Sequence, residues 1–350
     1  MKYKHTPGYY HLSDDLKKYP DAWCFIVWSP RGVGKTYSAL SYSLCKGIVP
    51  VYIKRTKNDV NMICNENKIG FDASPYVPIN RDYKTDVKAK RLEDGIGAFY
   101  YKDDARPVCY IVALSAAKSL KGFDLSDADW MLFDEFIPQA GEIVRRSEGE
   151  QILDLYMTIR RDREKRGRDP LKMILFANAE NIATPITETL EIIDTMADMN
   201  IKEIEIYKDE ERGILLHRIP ASGAQEPKRG IYAAMGKTAW GRKAFGGEFA
   251  NNDFSCVKQL SLKGFRPVCS YIYKQEPHYI YQRGSDGAFY VCNNRAAGVP
   301  VYDIDRETEQ LRFRYEIVID LIDACIEGRA YFQYYSMYDL FFNYSKYFKN

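Results

Sequence analysis

The run CFIVWSPRGVGKTYSALSYSLCKG, Cys24 to Gly47, constrains this chain more than any other stretch. Trp23 to Trp28 is apolar and aromatic, long enough for a buried strand and too short for a helix. Ser29 to Gly34 reads as a turn, and Lys35 to Lys46 as a helix closed by Gly47. Strand, glycine-bearing loop and helix match the phosphate-binding pattern G-x-x-x-x-G-K-[ST] at every position but the first, where Ser29 replaces glycine. Loop amides and a helix N-terminus turn partial positive charge towards an anion. Gly32 and Gly34 permit close backbone approach and positive φ. Lys35 is placed to reach the β- and γ-phosphates of ATP, and the Thr36 hydroxyl to hold Mg2+. The expected nucleotide set is therefore Ser29, Arg31, Gly32, Val33, Gly34, Lys35 and Thr36. Serine is a frequent turn residue, so its presence at position 29 does not remove the site. The plain alternative is a glycine-rich turn with an incidental lysine. A second Gly-Lys-Thr, at Gly236 to Thr238, has Ile231 in the leading position and no apolar strand before it. It reads as a polar, basic stretch with no nucleotide role.

A nucleotide loop requires a second strand ending in an acid, and WMLFDEF, Trp130 to Phe136, supplies one. Asp134 is placed to hold Mg2+ through its water shell and Glu135 to orient or deprotonate the attacking water. Adjacent Asp and Glu point to hydrolysis by a motor-type ATPase more than to a metabolite kinase. A third apolar run, Leu171 to Asn178, ends in an amide that either senses the γ-phosphate or merely forms a turn. Val49 to Arg55 and Pro107 to Ser115 are further strand candidates. Apolar strands alternating with helical stretches predict an α/β fold on a mostly parallel sheet covered on both faces. Leu153, Tyr156 and Ile159 share one helical face that leads Arg160, Arg161 and Arg163 towards an exposed end. That end is either a solvated basic patch or the source of an arginine given to a neighbouring subunit's ATP, worth about 10³ to 10⁵ in rate where it operates.

Bulk properties exclude several classes. A chain of 350 residues accommodates two domains, and a net charge of +2 gives no global basic field, so nucleic-acid binding must come from local patches. The eight cysteines are scattered without a C-x-x-C pair, and none of the four histidines flanks a cysteine. This composition predicts a reduced, cytosolic protein without a metal-thiolate site. The first twenty residues lack the apolar core of a signal peptide, and no segment is apolar enough to span a bilayer, so no membrane partner is expected. Tyr331, Tyr335, Tyr338 and Phe342 recur at three- and four-residue steps in the closing segment. They read as an amphipathic helix packed on a sheet in preference to a nucleic-acid stacking platform.

In order, SPRGVGKT, LSAAKSLKG, MLFDEF, TIRRDRE and LFANAENIATP resemble the DNA-packaging ATPases of small short-tailed bacteriophages, the phi29-like group. RGILLHRIP, WGRKAFGGEF and ACIEGRAYFQ extend the resemblance over nearly the whole chain, densely up to residue 185 and thinly beyond. The resemblance implies a P-loop ATPase of the additional-strand (ASCE) type, working as a homo-oligomeric ring, a pentamer, at the portal vertex of an empty prohead in the host cytoplasm. Its partners would be double-stranded DNA, the portal and a structural packaging RNA, and its cofactors ATP and Mg2+. By the same resemblance Arg161 aligns with the trans-acting arginine finger, Lys121 with a second basic residue at the subunit boundary, and Asn178 with the γ-phosphate-sensing amide. Lys57 matches a lysine thought to face DNA, and Arg31 the basic residue of the loop. Ser29 departs from the family. Two other readings stay open from the residues: a helicase or remodeller, and a DNA-binding assembly module switched by ATP.

The resemblance further implies three regions: an ATPase domain over 1–220 with an N-terminal extension at 1–20, a lid or linker at 221–256, and a ribonuclease H-like α+β domain at 257–350. VCSYIYK, HYIYQR and AFYVCN read as antiparallel strands, and RYEIVIDLIDACIEG and the aromatic tail as helices. Two-metal cleavage requires convergent carboxylates. The strand PVCSYIYKQ carries none, and Asp286, Asp303, Asp305 and Asp323 are dispersed, so a binding role is expected in place of nuclease activity. Lys258, Lys263, Arg266 and Lys274 are candidates for backbone-phosphate contacts.

Overall fold

The computed structural model describes every residue except 66–71, 103, 124, 140, 162, 221–233, 236, 239–248, 250–251 and 349–350. The expected lid or linker therefore falls largely outside the described residues, as does Gly236 of the second Gly-Lys-Thr. The chain divides into two compact units, Met1–Glu191 with Asp198–Asn252, and Ile192–Ala197 with Asp253–Asn350.

The first unit is built on nine strands: β1 Cys24–Ser29, β2 Pro50–Lys54, β3 Val87–Glu93, β4 Ile96–Tyr101, β5 Pro107–Ala113, β6 Trp130–Asp134, β7 Lys172–Asn178, β8 Ile206–Asp209 and β9 Ile214–Arg218. They lie in the order β3-β4-β5-β2-β6-β7-β1-β9-β8. The six inner strands, β5 to β9 in that order, run parallel, and antiparallel strands finish both edges. All six residues of β1 are buried, as are the five central residues of β7. A parallel strand covered on both faces cannot alternate, which is why these segments are continuous apolar runs. β7 is inserted between β1 and β6, the additional strand that the fold class requires.

Helices α1 Leu12–Lys18, α2 Lys35–Lys46, α3 Lys57–Ile63, α4 Val77–Tyr83, α5 Glu148–Arg160 and α6 Pro185–Thr189 accompany this sheet. α2 follows the sequence reading residue for residue. It opens on Gly34 at φ +89° and closes on Gly47 at φ +68°, both left-handed, where a β-carbon is disfavoured. The N-terminal extension packs on the loop between β1 and α2 and on α2 itself: Tyr10 N–H donates to the Val33 carbonyl at 3.0 Å and Leu12 N–H to the Ser38 hydroxyl at 2.8 Å.

The second unit holds β10 Phe265–Tyr273, β11 Glu276–Arg283, β12 Phe289–Cys292, β13 Val301–Asp303 and β14 Ala330–Phe332, in the order β13-β10-β11-β12-β14. β10, β11 and β12 are antiparallel, and each edge strand is parallel to its neighbour. Helical turns run from Glu307 to Ile326, with a π segment at Arg314–Val318, and a further helix covers Tyr335–Phe342. Tyr331 departs from the expected helical stripe. It sits on β14, held by parallel pairing to β12, because a local three-residue step carries no information about a strand forty residues away. Tyr335 and Tyr338 are buried, and Tyr271, Phe313, Phe332 and Phe341 pack ring to ring at 5.3 to 6.0 Å. Tyr335 and Tyr338 thus belong to the core, whereas Phe342, the last of the expected stripe, is exposed.

Candidate active site

Parallel register brings three strand ends together. Ser29 at the end of β1 lies opposite Asn178 at the end of β7, and Asp134 at the end of β6 lies opposite Phe176. Ligands bind outside the carboxyl ends of such strands. A cleft of about 370 Å³ opens there, lined by the loop from Arg31 to Thr36 together with Asp134, Glu135 and Asn178.

Lys35 is buried, and its ammonium donates to the Ser29 hydroxyl at 2.5 Å and to Asn178 Oδ1 at 3.3 Å. Burial pulls its pKa down to about 8, against the opposing charges of Asp134 and Glu135. Ser29 Oγ donates a hydrogen bond to the Pro30 carbonyl at 2.7 Å, so its oxygen lone pairs can accept from the lysine. Left-handed backbone in this loop is confined to Gly32 and Gly34. Position 29 is the last residue of an extended strand and demands no glycine, which answers the departure noted in the sequence.

Thr36 Oγ1 donates to Asp134 Oδ2 at 2.8 Å, and the Tyr52 hydroxyl reaches the same oxygen at 3.2 Å. Burial, then the Asp134 charge, push the Tyr52 phenol well above its ordinary value. A hydroxyl and a carboxylate converging beside a buried lysine are the hard oxygen donors that Mg2+ prefers. Glu135 adopts φ +60°, which costs a residue with a β-carbon about 1–2 kcal/mol. Its carboxylate accepts from Gln139 Nε2 at 3.1 Å and lies 4.0 Å from the Lys54 ammonium. Arg31 donates to Gln139 Oε1 at 3.1 Å and lies 3.8 Å from Glu180.

No family profile matches the chain, and no curated protein matches it. Solved structures do. The Phi-28 gp11 DNA packaging motor aligns over 98% of this chain and 97% of its own, at TM-score 0.61 and 19% identity. The bacteriophage Phi-29 viral genome packaging motor assembly aligns over 97% of this chain and 99% of its own, at TM-score 0.65 and 15% identity. The chain shares the fold of these packaging motors.

Within that packaging-motor fold, the remaining sequence candidates are spread out. Arg161 is exposed and does not line the cleft beside Lys35; it lines a second cavity of about 1030 Å³ with Leu120, Leu155 and Met157. Lys121 belongs to a 3-10 helix, Leu114–Gly122, which packs against α5. Lys57 begins α3 behind a Thr56–Asp59 capping box, and its ammonium pairs with Asp94 at 2.9 Å. The three arginines expected at one exposed end are divided. Arg160 is half-buried, while Arg163 is buried, bonded to the Ala128 and Asp169 carbonyls and paired with Asp129 at 2.7 Å. A charge needs partners to be buried, and two of these, Ala128 and Asp129, lie more than thirty residues away on the approach to β6, outside any local pattern. Tyr52, Lys54, Arg55 and Gln139 escaped the sequence reading because each looks like an ordinary strand or loop residue.

In the second unit, Asp286 pairs with Arg283 at 2.6 Å and Asp303 with Arg306 at 2.8 Å. Asp305 accepts the backbone N–H groups of Lys274 and Gln275, each at 2.8 Å. Among the described residues, no three His, Cys, Asp or Glu side chains gather as a metal site. Lys258, Lys263, Arg266 and Lys274 are exposed, and the ammoniums of Lys258 and Lys274 lie 5.1 and 5.4 Å from the ring centres of Tyr331 and Tyr273. No helix among the described residues is long and apolar enough to cross a membrane.

Proposed function

We propose that this protein is an ATP-driven motor that translocates double-stranded viral DNA into a preformed prohead, acting as a ring of identical subunits. The observation that carries the reading is the convergence of Lys35, Thr36, Asp134, Glu135 and Asn178 on one cleft, in a chain that shares a packaging-motor fold over almost its full length.

ATP is the substrate. The loop amides and Lys35 bind its β- and γ-phosphates, and the ammonium turns from Ser29 to the phosphate as it does so. Bound between Thr36 and Asp134, Mg2+ would neutralise charge on the phosphates. Glu135 accepts the proton of the attacking water, and Asn178 lies where it can report the γ-phosphate. Arg161, outside its own cleft, is available to a neighbouring subunit's ATP, and the 3-10 helix bearing Lys121 shares its side of the unit. Loss of the γ-phosphate would loosen that boundary and move the DNA-contacting elements, for which Lys57 on α3 and the exposed lysines and arginine of the second unit are the candidates. Such contacts are made to phosphates and carry no sequence preference, as a motor requires. The second unit serves binding to DNA, the portal or a structural RNA.

The test is ATP hydrolysis against protein concentration, with and without long duplex DNA, for the natural chain, Arg161→Ala and a mixture. A rate per subunit that climbs with concentration, with the variant inactive alone and poisoning the mixture, is the expected result. A concentration-independent rate untouched by the variant would overturn the trans-acting ring.

A further inference from the structure

Ile143, in the loop between β6 and α5, is the most exposed large apolar side chain among the described residues, at 91%. One exposed isoleucine is ordinary in itself. Its place is what matters: it lines a hollow of about 530 Å³ with Met62, itself 61% exposed, and with Asp134 and Glu135. The same acidic pair lines the cleft that holds Lys35, so the exposed isoleucine stands beside the ATP site. Arg161 looks onto a different hollow, the cavity of about 1030 Å³. Met157, 60% exposed and one helical turn before Arg161, lines it together with the buried Leu120, Leu125 and Leu155. A cavity of that size has room for a drug-sized molecule, and so for the tip of a loop.

A head-to-tail ring joins two different faces of the same chain, so every subunit carries both halves of the contact. If Arg161 of one subunit reaches its neighbour's ATP, whatever surrounds Arg161 meets whatever surrounds Asp134 and Glu135. Around Arg161 lies an apolar hollow; beside the acidic pair stands an exposed isoleucine. We propose that Ile143 of each subunit inserts into the cavity of the next that is lined by Leu120, Leu155 and Met157, an apolar knob that seats Arg161 against its neighbour's nucleotide. Charge agrees with this pairing. Glu142 and Arg145 are exposed on either side of the knob, and the cavity wall carries the exposed Arg166 and Asp154, so each sign can meet its opposite. The knob also supplies what the arginine lacks. Apolar contact is not screened by salt and does not vanish when the γ-phosphate leaves, so neighbouring subunits stay joined while the contact made by Arg161 is lost and remade.

This inference rests on the reading of the protein as a ring in which Arg161 acts in trans, and the experiment separates the two. Because Ile143 is almost wholly exposed, Ile143→Asp is expected to fold and to bind a fluorescent ATP analogue within about twofold of the natural chain. Its hydrolysis rate per subunit, followed against protein concentration, is expected to reach half-maximum at a concentration about 10- to 100-fold higher, the effect of keeping one large apolar side chain out of its pocket. Full-length Ile143→Cys and Met157→Cys are then mixed and treated with a short bis-maleimide. Crosslinked dimer is expected in the mixture, and a ladder in the Ile143→Cys/Met157→Cys double variant, beyond what the natural chain with its half-buried Cys45, Cys256 and Cys325 gives and beyond either single variant alone. A natural concentration dependence in Ile143→Asp, or no added crosslink in the mixture while the natural chain keeps its concentration-dependent rate, would overturn the docking and leave the ring standing. A natural chain whose rate per subunit is independent of concentration, with and without long duplex DNA, would overturn the ring and the docking together.

Discussion

Lys35 shows how one side chain is tuned by where it is buried. Its ammonium is held at about 8 by burial, with Asp134 and Glu135 pulling the other way. A triphosphate beside it favours the charged form, so the pKa of the complex lies above that of the free protein. If the protein works as proposed, the ammonium's contribution to ATP binding is complete below about pH 8 and falls away as pH rises beyond it. Titration of a non-hydrolysable ATP analogue at neutral pH and well above pH 8 should show weaker binding at the higher pH. Lys35→Met should bind poorly at both and lose that dependence; a pH-dependence kept by the variant would assign it to another group. Lys35 itself was legible in the sequence through its spacing from Gly34 and Thr36. Its resting partners, Ser29 and Asn178, were not, because the Asn178 contact depends on β7 lying beside β1.

At the level of elements, α5 and the turn after it carry the candidate finger. Arg161 is exposed, and two residues on Arg163 is buried against Asp129 and the Ala128 carbonyl, which precede β6, and the Asp169 carbonyl, which precedes β7. That anchor fixes where the helix ends relative to the Asp134 strand. Removing one partner of a buried pair leaves the other uncompensated, at a cost of roughly 3–5 kcal/mol. Arg168, 3.1 Å from the same carboxylate, softens the loss. Arg163→Ala should therefore lower the denaturation midpoint of the full chain clearly, near the small end of that range, and Arg161→Ala should leave it unchanged. Equal melting curves for the two variants would remove the anchor role. The sequence showed a helix running into a basic cluster; it could not separate the anchoring arginine from the projecting one, since both have the same chemistry and differ only in what the fold places beside them.

Over the whole molecule, the division into units does not follow chain order. Ile192–Ala197 belongs with the C-terminal unit, and the Asp194 carboxylate accepts both the backbone N–H and the hydroxyl of Ser336, at 2.7 and 2.6 Å. Two hydrogen bonds to a charged acceptor at the start of the Tyr335–Phe342 helix contribute on the order of 1–3 kcal/mol. Asp194→Ala should lower the stability of the second unit by about that amount in urea unfolding, while ATP-analogue affinity is retained. Loss of nucleotide binding in that variant would mean the segment serves the first unit.

The sequence by itself determined the α/β class, the glycine-bearing loop between β1 and α2, the strands ending in Asp134–Glu135 and Asn178, and the strand-then-helix plan of the C-terminal half, because periodicity and glycine placement are local properties of a chain. Tertiary structure alone decided that these ends meet in one cleft, that Tyr52 and Gln139 attend it, that Tyr331 joins a strand, and that six residues set between two stretches of the first unit complete the second unit. Each of those depends on a pairing between distant segments, whose energy is absent from any window of sequence.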